Sequence, residues 1–174
     1  MHSFSKAQRG FTLIEIMFAI TIFAILMAVA VPSFLETVRN NRLVTQNNEF
    51  ISALNIARSE ALKRSSPVSI CSSADQTACS GSLDWTTGYI VFDDPNSNGQ
   101  ADVGETVLQA WGAAPPEFTL TATNRNFVRF VGSGTANAGA EVFDLVRTGC
   151  VGNKARRINI SFVGRVSTAT VACP

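Results

Sequence analysis

The sequence predicts an α+β protein in which one long N-terminal helix carries an antiparallel β-sheet head. The first observation is an unbroken apolar run over residues 11–31, followed by residues 36–63 without a glycine or a proline. The second is a series of short segments beyond Pro67 in which apolar and polar residues alternate. Clusters of Gly, Asn, Ser and Pro separate these segments. The sequence shows no internal repeat and no long linker, so we predict one domain on a helical stalk.

The first elements are a basic leader at residues 1–10 and a membrane-spanning segment at residues 11–34. The leader contains no acid and three potentially positive side chains, those of His2, Lys6 and Arg9. The positive-inside rule keeps such a leader in the cytoplasm. Over residues 11–31 the only polar side chains are Thr12, Glu15 and Thr21. This length of helix spans about 31 Å, close to the hydrocarbon thickness of a bilayer. An acid there is costly, which marks Glu15 as a functional candidate.

Two other interpretations of this segment stay open. A secretory signal peptide is cut after its apolar stretch, and Ala28-Val29-Ala30 imitates such a site. A plain membrane anchor needs the same apolar length. Neither interpretation gives a role to Glu15 or to the Gly10-Phe11 junction.

The second element is an amphipathic helix over residues 35–64, which Pro67 ends. An apolar stripe at helical spacing contains Leu43, Val44, Phe50, Ile51, Leu54, Ala57 and Ala61. Polar residues, among them Arg42, Gln46, Glu49 and Arg58, are expected on the opposite face. One helix from residue 11 to 63 is roughly 80 Å long, so its outer half must bury the stripe against a head domain.

The third element is the head, residues 65–174. Alternating segments predict seven or eight strands, at residues 67–71, 88–93, 105–110, 118–122, 126–131, 142–147, 157–162 and 166–171. Residues 133–140 are small and predict a loop. About 110 residues with these strands can form one core with the helix.

All four cysteines lie in the head, at Cys71, Cys79, Cys150 and Cys173. Beyond a membrane span they reach an oxidising compartment, where disulfides form. Three pairings are allowed, and locality favours Cys71–Cys79 with Cys150–Cys173. A zinc site is the competing use, but the spacings differ from those of zinc ribbons and fingers, and the one histidine lies in the leader.

The near-neutral total of 14 basic and 13 acidic residues conceals two oppositely charged parts of the head. Residues 65–117 hold seven acids and no Lys or Arg, for a net charge of −7. Residues 118–174 hold seven basic residues and two acids, for a net charge of +5. These are either two solvated faces or a surface that meets an acidic neighbour or a polyanion.

The N-terminal motif GFTLIEIMFAITIFAIL, residues 10–26, resembles the class III signal of type IV prepilins and of the pseudopilins of type II secretion. The resemblance implies that a prepilin peptidase cleaves between Gly10 and Phe11 and N-methylates Phe11. It also implies that Glu15 pairs with the N-terminal amine of a neighbouring subunit during assembly, which removes the cost of its charge in lipid. Pro32 matches a position where pilin helices commonly kink.

Later motifs resemble, in order, those of the GspH/FimT family. They are LNIARSEALKR at residues 54–64, VSIC at 68–71, Trp85 with GYIVFD at 88–93, Asn98-Gly99 with Asp102, Gly104-Glu105 and Val107-Leu108, and Cys150 with Gly164-Arg165 and Cys173. The resemblance covers nearly the whole chain. It implies a pilin-like fold, with the long helix packed on a C-terminal antiparallel sheet.

The resemblance implies a minor pilin that helps to prime or cap a type IV pilus. The alternatives are a minor pseudopilin H of type II secretion and a competence pilin that binds DNA. The implied partners are other pilin or pseudopilin subunits, the prepilin peptidase and the bacterial inner membrane. No cofactor and no small-molecule substrate are expected. The head is expected in the periplasm until the subunit enters a pilus or a pseudopilus.

A twelve-residue segment of the head matches the calcium loop of EF-hands. The oxygen-bearing residues of the pattern are Asp94, Asn96, Asn98, Asp102 and Glu105, with Gly99 at the sixth position. The flanking segments predict strands rather than helices, and Pro-Asn and Asn-Gly are strong turn formers. Both a weak calcium site and a plain hairpin loop stay open.

DNA binding in some related pilins uses a Gly-Arg-x-Arg motif, which here reads Gly164-Arg165-Val166-Ser167 and lacks the second arginine. Lys154, Arg156 and Arg157 lie near in sequence, and Arg125 and Arg129 join them if the strands are neighbours. Several such cations are needed to bind phosphates. The alternative is a solvated basic strand edge.

Catalytic chemistry has no support in the sequence. No histidine lies outside the leader, and no nucleophile elbow, Walker loop or metal-ligand cluster is present. We therefore expect an interaction protein, not an enzyme.

Overall fold

The computed structural model describes residues 10–136 and 141–174. Its helix α1 extends over Leu13–Arg64 and contains Pro32 without interruption. The helix ends at Arg64, and the φ of 51° at the next residue, Ser65, lies outside the helical region. The predicted long helix is confirmed to within two residues at its start and one at its end. Most of the leader and the end of the predicted loop at 133–140 lie outside the described residues.

The chain divides into two compact units, Met1–Asn40 and Asn41–Pro174. In the first, the large apolar side chains from Phe11 to Leu35 are exposed. Of the helices in the described part of the chain, one is long and apolar enough to cross a membrane, by length and composition. Every residue of the two buried clusters lies in the second unit, between Leu43 and Ile160. Residues 41–174 therefore contain a complete core.

The described residues of the head form two four-stranded antiparallel sheets. The strands are β1 (Val68–Ser72), β2 (Tyr89–Asp93), β3 (Val107–Trp111), β4 (Phe118–Ala122), β5 (Phe127–Phe130), β6 (Glu141–Arg147), β7 (Ala155–Ile160) and β8 (Val166–Val171). Sheet 1 has the order β3-β2-β1-β5 and sheet 2 the order β4-β6-β7-β8. The antiparallel fold class is thus confirmed. The prediction for β7 was wrong by two residues, because Ser161 and Phe162 belong to a turn.

The outer half of α1 packs against both sheets. Phe50 is 1% exposed, and its ring meets those of Trp85, Tyr89 and Phe143 at centroid distances of 5.7, 5.1 and 4.8 Å. Edge contacts between such rings stabilise a core beyond the area that they bury. The predicted stripe is confirmed at its centre, whereas the buried helix position Asn47 was missed. Its side-chain oxygen accepts a hydrogen bond from Thr168 on β8 at 3.0 Å.

A second, smaller cluster lies on the other side of sheet 1, around Cys71, Ile90 and Phe92. The disulfide Cys71–Cys79 borders it, with Cα atoms 5.6 Å apart. The second disulfide joins Cys150 to Cys173 and fixes the C-terminus to the segment before β7. Both locally favoured pairings are present.

Candidate functional site: the N-terminal junction and the head loops

The first turn of α1 forms a capping box at Thr12 and Glu15. The Glu15 carboxylate accepts hydrogen bonds from the Thr12 backbone N–H and hydroxyl, both at 3.0 Å. The Thr12 hydroxyl accepts in turn from the Glu15 N–H at 3.3 Å. This reciprocal arrangement satisfies otherwise orphaned donors at a helix start. The pattern Thr-x-x-Glu signals this capping box in sequence, and the box gives Glu15 a local role in addition to the predicted docking role.

Gly10 lies immediately before this box and is exposed. A Cβ built on Gly10 meets no atom of the described residues within 4 Å. The packing of these residues therefore does not require glycine at this position.

The loop that matches the calcium pattern connects β2 to β3 and is held to sheet 1 by Asp94, which is fully buried. The Asp94 carboxylate accepts from the Ser69 hydroxyl at 2.5 Å, and from Arg129 Nε and the Gly99 N–H at 3.1 Å. Its other oxygen accepts from the Asn98 N–H at 3.0 Å. Arg129 is 9% exposed and so lies inside the head rather than on a DNA-binding surface.

The other ligands of the pattern also have partners within the loop. Asp102 accepts from the amides of Asn96 and Asn98 at 3.0 and 2.6 Å. Glu105 accepts from the Asp102 N–H at 3.0 Å. Within residues 10–136 and 141–174, no group of three or more His, Cys, Asp or Glu could hold a metal ion. Hydrogen bonds within the loop and the guanidinium of Arg129 hold it, while the buried Glu105 Oε1 has no hydrogen-bond partner among the described residues.

We expect calcium to leave the head unchanged. Arg129 already supplies positive charge to Asp94, so a divalent cation there has to compete with a buried ion pair at 3.1 Å. Calorimetric titration of residues 41–174 with Ca²⁺ in chelator-stripped buffer, with a thermal melt alongside, measures this. Binding heat or a raised Tm at millimolar calcium would restore the calcium interpretation.

The basic residues predicted to bind DNA do not come together in the structure. Lys154 precedes β7 and Arg165 precedes β8, at opposite ends of this antiparallel pair. Six residues of strand separate them, or about 20 Å. Arg156 and Arg157 are neighbours on β7 and so point to opposite faces.

Two of these cations have partners that the sequence did not show. Arg157 donates to both oxygens of Asp144, at 2.7 and 2.9 Å, and these bonds raise the pKa of Arg157. Arg156 donates to the Thr170 hydroxyl at 2.8 Å. Arg125 lies between β4 and β5 and is exposed. The structure thus separates residues that lie close in sequence, and DNA binding by these four residues stays a prediction.

Arg58 fixes the turn that carries Arg165. Its guanidinium donates to the carbonyl of Gly134 at 2.9 Å and to that of Val163 at 3.1 Å. Gly164 has a φ of 76°, and a Cβ there would collide with the Gly134 carbonyl. Arg58 was expected on the solvated face of the helix, but it joins two loops of the head. The glycine of the Gly164-Arg165 motif is therefore required by packing.

Two family models match the chain. One, described as the type II transport protein GspH, matches residues 46–164. The chain belongs to the GspH family. The other, a prokaryotic N-terminal methylation motif, matches residues 5–31 and so includes Gly10, Phe11 and Glu15. The GspH match begins in the outer half of α1 and ends at Gly164.

Solved structures show the same fold. Two crystal forms of the type IV minor pilin FimU of Pseudomonas aeruginosa (strain PAO1) are similar, at 21% and 20% sequence identity with TM-scores of 0.55 and 0.60. The first alignment covers 70% of this chain and 88% of the FimU chain, and the second covers 76% and 92%. None of the curated proteins compared matches the chain.

Proposed function

We propose that this member of the GspH family is a minor pilin, a structural subunit that helps to prime or cap a type IV pilus. The observation that carries the proposal is the methylation motif at the start of one continuous helix that bears a head of the FimU fold. The apolar side chains of residues 11–35 are exposed in the isolated chain and need a lipid or helical environment. A filament core and the inner membrane both provide one.

The N-terminal geometry supports a two-step use of Glu15. In lipid an unpaired carboxylate is costly, and the Thr12 donors at 3.0 Å reduce that cost before assembly. After cleavage between Gly10 and Phe11, a neighbouring subunit presents a cationic amine that can pair with Glu15. The paired charge of Glu15 then favours docking of the subunit onto its neighbour over a separate subunit in the bilayer.

A minor pseudopilin of type II secretion is the second candidate, favoured by the description of the family model that matches residues 46–164. Both candidates need the same helix packing and the same processing, so neither property of the chain distinguishes a pilin from a pseudopilin. Deletion of the gene separates the two roles. Loss of surface pili in electron micrographs with normal protein secretion supports the pilin, and the reverse outcome supports the pseudopilin.

Glu15→Ala tests the docking role. The substitution makes the span more apolar, so we expect normal membrane insertion together with reduced incorporation into filaments. Membrane fractionation measures the first, and immunoblotting of sheared filaments the second. Glu36→Ala is the control, at a half-exposed helix position beyond the span where the carboxylate pairs with Arg39. Normal incorporation of the Glu15 variant would remove the ion pair from the assembly mechanism.

DNA binding by the head is expected to be weak. The separated cations and the Asp144 partner of Arg157 leave too few clustered charges to neutralise several adjacent phosphates. A gel-shift of residues 41–174 with duplex DNA at low and physiological salt measures this. A shift that persists at physiological salt and disappears in Arg165→Ala would establish the competence role instead.

A further inference from the structure

Strand β8 is an open edge of sheet 2. Within the part of the chain that the structure describes, β8 pairs with β7, and no strand lies on its other side. Where the two strands meet their turn, the Ser161 N–H donates to the Arg165 carbonyl at 3.0 Å. Antiparallel strands alternate between hydrogen-bonded and non-bonded residue pairs, so Ser167 is bonded to β7. Thr168 and Thr170 therefore direct their backbone N–H and C=O groups to the open edge.

The other three edges of the two sheets are covered or distorted. The Trp85 N–H donates to the Leu120 carbonyl at 2.8 Å, so the segment before β2 covers β4. The chain after β5 folds back on that strand in a bridge between Phe130 and Ala136. The register of β3 with β2 shifts at a bulge, which distorts the edge of β3. By contrast, β8 has a continuous register and contains neither a charge nor a proline, the usual protections of an edge strand.

The open edge is fixed in place before it meets a partner. In the turn before β8, Arg58 donates to the Val163 carbonyl at 3.1 Å. In the middle of β8, a hydroxyl donates to the side-chain oxygen of Asn47 on α1 at 3.0 Å. Beyond the strand, the Cys150–Cys173 disulfide joins the chain to the segment before β7. A strand that is already formed loses little conformational entropy on binding, which favours a docking role.

A shallow groove on α1 borders the open edge. Asn47 and Arg58 bond to β8 and to its turn, and they are about three helical turns apart, so they lie along one line of the helix. The buried Phe50 and Leu54 lie on one side of this line, and the groove lies on the other. A strand added to β8 therefore places the side chains of one face in the groove. The groove is lined by Asn48, Ile51, Ser52, Asn55, Ile56 and Ser59.

We propose that the open edge of β8 receives an extended strand from a different subunit of the filament, which carries a carboxylate next to Arg165. The backbone groups of the edge match those of a strand, and the groove on α1 takes its alternate side chains. Arg165 is exposed at the start of β8, and residues 118–174 have a net charge of +5, which favours an acidic strand. A minor subunit makes such a contact once, with a neighbour of another kind.

The inference rests on the proposed function. A few backbone hydrogen bonds hold a strand only where a filament or a membrane keeps the subunits at high effective concentration. A polyanion fits the edge less well, because Val166–Val171 contain no charged side chain to pair with phosphates. A second copy of the chain is the other possible occupant, and the experiment separates it from a different subunit.

Site-specific photo-cross-linking of the full chain in whole cells tests the contact. A benzophenone amino acid replaces Ala169, which is exposed on β8. The matched control replaces Thr121, which is exposed on the covered strand β4, because Thr121, Asp144, Arg157 and Ala169 form one row across sheet 2. We expect the Ala169 variant to be joined to another subunit with its own N-terminal methylation motif, identified by mass spectrometry. The Thr121 variant is expected to give about tenfold less of this adduct.

Loss of one backbone donor makes the test specific. Thr168→Pro removes an N–H that faces the open edge, and Thr168→Val keeps it, while both remove the hydroxyl bonded to Asn47. In the Ala169 variant, Thr168→Pro is expected to lower the adduct about tenfold, and Thr168→Val to leave it unchanged. Melting of both purified full chains in detergent checks that Thr168→Pro is folded. Arg165→Glu leaves β8 itself intact and is also expected to lower the adduct, whereas Arg165→Lys retains it.

The outcomes that overturn the proposal are distinct from failure of the proposed function. No adduct, equal adducts from the two positions, or an adduct only with a second copy overturns the strand contact. So does an adduct that Thr168→Pro and Arg165→Glu leave unchanged. Sheared filaments of the same cells are probed for the chain without the benzophenone. Its presence there supports the proposed function whatever the cross-links show, and its absence contradicts both.

Discussion

Replacing Gly10 by valine is expected to leave the leader attached to nearly every copy of the protein. Among the described residues no atom lies within 4 Å of a Cβ at this position, so the substitution disturbs none of their packing. A peptidase that cuts between Gly10 and Phe11 needs close approach to the backbone there, which a branched side chain obstructs. Without cleavage Phe11 has no free amine, and the partner proposed for Glu15 is lost. An immunoblot that resolves precursor from mature chain measures processing.

Assembly should fail together with processing in this variant. Sheared filaments from cells that express only Gly10→Val are expected to contain none of the protein. Gly112→Val is a matched control, since a Cβ on this head glycine meets only the Gln76 side chain, at 3.6 Å. It should be processed normally. Normal maturation of Gly10→Val would show that the cleavage site lies elsewhere, and the Ala28-Val29-Ala30 segment would then have to be tested.

Local sequence patterns predicted the helix and the strands of this fold better than the arrangement of the strands in sheets. Strand β4, for example, matches its predicted segment at both ends because apolar and polar residues alternate through it. The division into two sheets was not predictable, since β5 pairs with β1 through contacts such as Val68 with Phe130, far apart in sequence. The alternating pattern predicts Phe162 at the end of a strand, whereas in the structure Phe162 lies in a turn and is exposed.

The same limit applies to the candidate sites. The N-terminal motif can be recognised from the sequence because it consists of consecutive residues. The residues of the predicted DNA site are spread apart in the structure, because adjacent strand residues face opposite sides of a sheet however close they are in sequence. Arg129 is the clearest case, because its partner Asp94 comes from a loop 35 residues away. No local pattern indicates that Asp94, a predicted calcium ligand, accepts a hydrogen bond from a buried arginine.

Asp94→Ala is expected to destabilise the head by about 3–5 kcal/mol, the usual cost of removing one partner from a buried ion pair. Arg129 would remain buried opposite a methyl group, and the hydrogen bonds from Ser69, Asn98 and Gly99 would also be lost. Chemical denaturation of residues 41–174, with intact disulfides, measures the free energy of unfolding. This fragment contains every residue of the two core clusters.

Asp102→Ala distinguishes this explanation from calcium binding. The exposed Asp102 carboxylate accepts from the Asn96 and Asn98 side chains and has no other partner among the described residues, so its loss should cost about 1 kcal/mol or less. If calcium held the loop, both substitutions would lower the free energy of unfolding, and a chelator would lower it in the same way. If the buried pair holds it, adding Arg129→Met to Asp94→Ala should recover part of the lost stability, because no charge is then left unpaired inside the head. Equal costs for Asp94→Ala and Asp102→Ala would contradict the assignment of Asp94 as the residue that anchors the loop.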